Sequence, residues 1–193
     1  ADESLSGTLA VFRAEKSNVL TADPINSSYS AALGEAESQG IELDLNANLA
    51  SDTVLSVAYS YVDAKTSNEV INFDWGVSIP AGSRLINIPE HQFNFTVLQH
   101  FSLAGKEAKV GASLTYVGDR LGETIDADYI LPSYTTVRLF SSVNLSSRWV
   151  LNADIDNLFD KKYYNYMTAW GDAYTQYRYG TPRNVAVSFN YSF

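Results

Sequence analysis

Between Ile41 and Leu49 apolar and polar residues alternate without a break, with Ile41, Leu43, Leu45, Ala47 and Leu49 set against Glu42, Asp44, Asn46 and Asn48. A strand points successive side chains to opposite faces, so this run has one apolar face and one polar face. Wound as a helix, it would bring Ile41, Asp44, Leu45 and Asn48 together and leave no apolar stripe. The same period of two returns along the chain. Leu55, Val57, Tyr59 and Tyr61 alternate with Ser56, Ala58 and Ser60, and Phe93, Phe95, Val97 and Phe101 with Gln92, Asn94, Thr96 and His100. Val110 to Tyr116, Val137 to Leu145, Trp149 to Ile155 and Val185 to Phe193 follow the same rule. An eighth segment, Ser6 to Lys16, also reads as a strand, although it is apolar on both faces near Leu9 to Phe12. The expected fold is all-β, with eight strands.

The links between these strands alternate in length. Short turns fall at Ser51-Asp52, Ser102 to Glu107 and Ser146-Ser147, and long polar or aromatic stretches at Ser17 to Gly34, Lys65 to Pro89, Leu121 to Ser133 and Lys161 to Thr181. An antiparallel meander does this when one end of its sheet carries tight turns and the other elaborated loops, the asymmetry of transmembrane β-barrels. A soluble sandwich rarely keeps about ten alternating residues per strand. With the last residue on the periplasmic side, Phe101, Trp149, Tyr191 and Phe193 fall at periplasmic strand ends. Phe12, Tyr59, Tyr61, Phe93 and Tyr116 fall toward the opposite rim. Two aromatic rows of this kind mark the two interfaces of an outer-membrane barrel. Glu42, Asp44, Asn46, Lys109, Arg138, Asp154 and Asp156 then line a hydrated lumen.

Composition agrees with this picture and narrows it. Of 193 residues, 46 % are hydrophobic and 18 % charged, which excludes a disordered chain. No run approaches the roughly 20 apolar residues of a membrane-spanning helix. Cysteine is absent, so disulfides and thiolate metal sites are ruled out. Thirteen basic against 22 acidic residues give a net charge of −9, which argues against nucleic acid as a partner. The aromatic content of 13 % is what two interfacial rows require.

Asn157-Leu158-Phe159-Asp160-Lys161-Lys162-Tyr163-Tyr164, then Gly180-Thr181-Pro182-Arg183 and a closing alternating strand ending in Phe193, resembles the carboxyl terminus of TonB-dependent outer-membrane receptors. Ser17 to Pro24, Glu37 to Leu43, Ala58 to Ala64 and Asn87-Ile88-Pro89-Glu90-His91-Gln92 look like the siderophore-receptor branch. The resemblance implies a 22-stranded transmembrane meander barrel in the bacterial outer membrane, closed by an amino-terminal plug. It also implies import of ferric siderophores with energy delivered by TonB through the plug. Eight strands are too few for that barrel and no plug or TonB-box segment is present. Residues 1–193 are therefore expected to be the carboxyl-terminal barrel segment of a longer receptor. Its partners are the remaining barrel and plug, outer-membrane lipid and lipopolysaccharide, and a ferric siderophore, with iron as cargo and no resident cofactor. Within the signature, Asn157, Leu158, Phe159, Asp160, Tyr163, Tyr164, Pro182, Arg183 and Phe193 are expected to serve structure and assembly. Pro182 suits a strand start, and Tyr163 and Tyr164 a headgroup layer.

Nothing in the chain reads as catalytic. Glu42/Asp44 and Asp154/Asp156 have a spacing that could suggest glycosidase carboxylates, but such acids recur along the polar strand faces. Asp126-Ala127-Asp128 lacks the remaining ligands of a calcium loop. His91 and His100 sit toward opposite ends of one strand and cannot share a metal. The groups suited to a bulky, partly apolar, often anionic chelate lie in the long loops: Phe73, Trp75, Arg84, Arg120, Tyr129, Trp170, Tyr174, Tyr177 and Tyr179. A second expectation competes with the receptor: a complete small barrel of eight strands with a structural or adhesin role. The two differ at the first and last strands, which would pair with each other only in the closed barrel.

Overall fold

The computed structural model describes residues 4–22, 29–49, 52–72, 77–122, 129–169 and 175–193, none of them helical. In chain order the strands are β1 (Ser4–Ala22), β2 (Ser30–Leu49), β3 (Thr53–Thr66), β4 (Val70–Asn72), β5 (Val77–Ile79), β6 (His91–Leu103) and β7 (Lys106–Val117). They continue with β8 (Arg120–Leu121), β9 (Ile130–Leu131), β10 (Tyr134–Asn144), β11 (Trp149–Asp156), β12 (Tyr164–Ala169), β13 (Thr175–Tyr179) and β14 (Asn184–Tyr191). One eight-stranded sheet runs β1-β2-β3-β6-β7-β10-β11-β14, every neighbour antiparallel. The three remaining pairs, β4-β5, β8-β9 and β12-β13, are small hairpins within the long loops.

Each strand expected from the period of two is present. At the tight-turn end, β6 and β7 are joined by Ala104 and Gly105 alone, with φ of 51° and 77°. Two successive positive φ values give a primed turn, whose twist matches that of the strands it joins.

The ladder shows why the alternation is so regular. Leu9, Leu43, Tyr59, Phe93, Tyr116 and their neighbours two residues along share one face, continued by Val137, Leu139, Ile155, Leu151, Val185 and Phe189. Their intervening partners share the other face, including Glu42, Asp44, Asn94, Lys109, Arg138, Asp154 and Asp156. No described residue covers the apolar face: on strands flanked on both sides, Ile41 is 42 % exposed and Val110 45 %. The buried apolar residues, among those described, are Ala64, Ala108, Leu121, Leu131 and Met167. A sheet this apolar on an uncovered face has its solvent in lipid. From Ile41 to Leu49 the apolar run spans about 27 Å along the strand, about 21 Å after a tilt of roughly 40°. That height matches a barrel's lipid-facing band.

Aromatic rows bound the band. At the tight-turn end, Trp149 packs on Tyr191 at 4.8 Å between ring centroids, and Phe193 meets Tyr191 edge-on at 5.2 Å. At the other end Tyr59, Tyr61, Phe93 and Tyr116 share the outer face with His91, whose Nδ1 lies 2.9 Å from the Tyr59 hydroxyl.

Three expectations need correction. Phe12 is not in the outer row. It pairs with Gly40 on the polar face, its ring over the glycine so that a Cβ there would come within 2.9 Å of the ring. With Leu9 to Phe12 apolar throughout, the sequence could not fix its side. Within Ser17 to Gly34 the described residues are almost all strand: β1 continues to Ala22 and β2 begins at Ser30, past register shifts around Val19 and a left-handed Asn18 (φ 57°). Backbone pairing sustains this ribbon without an apolar face, so no periodicity announces it. The closed eight-stranded barrel is also overturned, because β1 and β14 are the two edges of an open sheet.

Candidate functional site

At the long-loop end, polar side chains pin the loops to one another. Asn157 follows β11 in the left-handed region, φ 47°, a conformation that asparagine tolerates. It is 5 % exposed, and its amide Nδ2 donates to the carbonyls of Lys161 (2.9 Å) and Thr181 (3.0 Å). Its Oδ1 accepts from the Lys161 N–H at 2.9 Å. Asp160 (φ 52°) accepts from the Arg183 N–H through Oδ1 at 2.9 Å, and the Leu158 N–H reaches the Val137 carbonyl at 2.8 Å. These bonds hold the two ends of the β11–β14 loop together. Pro182 stands just before β14, where its missing N–H leaves no ladder bond unmade. Phe159 projects into the surroundings, 74 % exposed, and Phe193 lies beyond the end of β14 at Tyr191.

Above this base the loops interlock. The Asn87 amide grips the Met167 backbone from both sides, donating to its carbonyl at 3.2 Å and accepting from its N–H at 3.4 Å. Asn87 N–H donates to the Leu121 carbonyl at 2.6 Å. Met167 and Leu131, each 1 % exposed, form a small core against which Tyr129 and Tyr164 pack. The loop that leaves β3 is thereby tied to β8-β9 and to β12-β13.

A run of rings crosses the same region. Tyr134 stacks on Tyr163 at 4.1 Å, and the Tyr163 ring lies over Gly180, where a Cβ would fall 2.1 Å from it. Tyr164 packs on Tyr177 (4.8 Å) and Tyr179 (5.0 Å), both of them open to solvent. The hydrogen bond between the Tyr164 and Tyr179 hydroxyls, with their mutual repulsion when ionised, raises the Tyr164 pKa above the ordinary 10.0. Below the rings, Asn94, Ser113, Thr136, Arg138, Asn157 and Tyr163 line a polar hollow of about 420 Å³. Arg138 there is held by Asp154 and, at 3.1 Å, by Asp156.

The ligand-contact candidates divide three ways. Arg120, Tyr129, Tyr177 and Tyr179 come together in the ring cluster. Arg84 does not join them: its guanidinium spans Glu90 (3.2 Å) and Asp119 (3.5 Å), tying two loops together. Phe73, Trp75, Trp170 and Tyr174 lie outside the described residues, as do Asp126 and Asp128. Reading for ligand chemistry passed over Asn87, Tyr134, Met167 and Gly180. Of these Asn87 and Gly180 left a trace, in the motifs Asn87-Ile88-Pro89 and Gly180-Thr181-Pro182-Arg183. Among the described residues no three His, Asp or Glu side chains are grouped to hold a metal ion.

Comparison with known proteins adds the following. The family profile described as "TonB dependent receptor-like, beta-barrel" matches residues 1–158. The metal-pseudopaline receptor CntO of Pseudomonas aeruginosa is 37 % identical over all of this chain and 26 % of its own length. The ferric-pyoverdine BN7/BN8 receptor of Pseudomonas putida is 29 % identical over 98 % of this chain and 21 % of its own. The chain thus spans about a quarter of the length of the curated relatives it matches. Among solved structures, the ferric yersiniabactin uptake receptor FyuA of Yersinia pestis superposes with a TM-score of 0.81 at 16 % identity, covering 98 % of this chain and 28 % of the receptor. The siderophore receptor PiuA of Acinetobacter baumannii gives 0.75 at 23 %, covering 97 % and 26 %.

Proposed function

The chain belongs to the TonB-dependent receptor β-barrel family, and we propose that it builds the carboxyl-terminal wall and four extracellular loops of an outer-membrane receptor importing ferric siderophores. Its eight long strands are then part of a 22-stranded barrel whose other strands meet β1 and β14. The outer face meets outer-membrane lipid and, in the outer leaflet, lipopolysaccharide. The polar face lines the lumen and meets a plug, through which TonB delivers energy. The observation that carries this reading is the match of the whole chain to a metal-chelate receptor at 37 % identity. Physical support comes from the sheet, with lipid-adapted and water-adapted faces in strict register and its loops pinned at one rim. The work of this part is capture and passage rather than catalysis, with iron as cargo and no resident cofactor.

Uptake of ⁵⁵Fe supplied as siderophore complexes tests the reading in cells that carry or lack the full-length receptor. The expected result is uptake that needs both the receptor and the proton-motive force. Uptake that persists without the receptor contradicts it. A second reading, a metallophore complex of another metal as cargo, is favoured by the 37 % identity to a metal-pseudopaline receptor against 29 % to a ferric-pyoverdine receptor. Running the same assay across several first-row metals separates the two.

A further inference from the structure

The two rims of the lipid-facing surface differ in charge. Toward the long loops, Arg13 and Lys65 share the outer face with Val11 and Tyr61. Each is neutralised there by acids: Arg13 by Glu15 (3.0 Å) and Glu37 (3.1 Å), and Lys65 by Asp63 (2.9 Å). At the tight-turn rim Lys106 and Arg148 are exposed, and neither forms an ion pair among the described residues. Lys106 shares the face of Val110, and its ammonium donates to the Leu145 carbonyl. Arg148 Nη1 donates to the Tyr191 hydroxyl at 3.5 Å, beside the packed rings of Trp149 and Tyr191. The acid next to Lys106 in the chain, Glu107, lies on the opposite face and accepts from Asn144 Nδ2 at 2.9 Å.

Two unneutralised cations thus flank the turn between β10 and β11, one on its β7 side and one on its β14 side. At the level of an aromatic row such cations meet lipid phosphates, and each strengthens binding of an anionic lipid by about fivefold. Their repulsion of an ammonium disfavours a zwitterionic headgroup.

We propose that this rim binds an anionic phospholipid: the Arg148 guanidinium and Tyr191 hydroxyl hold its phosphodiester, Lys106 adds the second charge, and Trp149 packs along its glycerol. The inference rests on the receptor reading for one point, that the tight turns lie at the periplasmic leaflet, and goes beyond it in naming the lipid. To test it, the full-length receptor in detergent is incubated with mixed micelles holding equal phosphatidylglycerol and phosphatidylethanolamine. Lipid retained through gel filtration is then quantified by mass spectrometry. The wild type is expected to retain phosphatidylglycerol in excess of about tenfold or more, an excess that shrinks as salt is raised. Lys106→Gln and Arg148→Gln should each lower it by about threefold to fivefold. The double variant should bring the two lipids near parity, whereas Arg148→Lys should keep most of the excess. Arg13→Gln/Lys65→Gln changes the net charge equally at the other rim and should leave the ratio where it was. Equal retention of the two lipids by the wild type overturns the inference. So does an excess that survives the Lys106→Gln/Arg148→Gln variant, or one that falls as far in Arg13→Gln/Lys65→Gln. Should the first double variant misfold, the wild type alone decides, and an excess unmoved by salt overturns the inference. All these failures leave the receptor reading standing, which iron uptake that persists without the receptor removes.

Discussion

Gly111 and Phe140 face each other across β7 and β10 on the polar side, and the pair shows how single residues shape this wall. A Cβ on Gly111 would fall between 2.3 and 2.9 Å from three atoms of the Phe140 ring. The ring lies flat over the bare backbone, with the Arg138 guanidinium 5.2 Å from its centre. Gly111→Ala is therefore expected to destabilise the folded receptor by about 1–3 kcal/mol, the usual cost of overpacking. The double variant Gly111→Ala/Phe140→Ala should recover most of that loss, because the obstacle is a side chain. Urea titration of the receptor in lipid vesicles reads both values. Equal losses in single and double variants would mean that the clash is not with the ring. Gly40 offers a contrast: a Cβ there would stand 2.0 Å from the Tyr61 carbonyl oxygen, which removing Phe12 cannot relieve.

Among whole elements, β2 carries the division between media most plainly. Leu43 lies near the middle of the apolar run and Asp44 beside it on the opposite face. Leu43→Arg should cost about 2–4 kcal/mol, the price of a cation at the bilayer midplane. Asp44→Arg changes charge by two units yet should cost far less, because water reaches that face. Folding free energies in vesicles of the two variants test this, and comparable losses would contradict the assignment. The sequence was legible where one face met lipid: from Ile41 to Leu49 and from Val185 to Phe189 the alternation could be read directly. It failed where alternation was missing. The strand ends 17–22 and 30–34 carry no period, and Phe12 sat in a run with no polar residue to mark its side. The loops were legible only as composition. Arg120 and the tyrosines could be named as ligand-suited residues, but their meeting at one cluster depends on Asn87 holding the Met167 backbone, a contact spanning eighty residues that no local pattern encodes.

For the whole molecule, the open sheet explains what these residues can and cannot do alone. The edges at β1 and β14 leave backbone donors and acceptors unpaired in the open sheet, and in a bilayer each such group costs several kcal/mol; in the proposed receptor, further barrel strands pair with them. In the proposed barrel this wall separates lipid from a hydrated passage, and the proposed loop function is built on that separation. These 193 residues contain no cysteine, so single cysteines introduced from Ile41 to Leu49 can carry spin labels, in a full-length receptor free of other cysteines and reconstituted in vesicles. Collision with oxygen, which concentrates in lipid, and with a water-soluble nickel chelate then measures the solvent at each position. Oxygen should dominate at residues 41, 43, 45, 47 and 49 and nickel at 42, 44, 46 and 48, in strict alternation. Nickel access at Ile41, Leu43 and Leu45 equal to that at Glu42 and Asp44 would contradict the membrane wall.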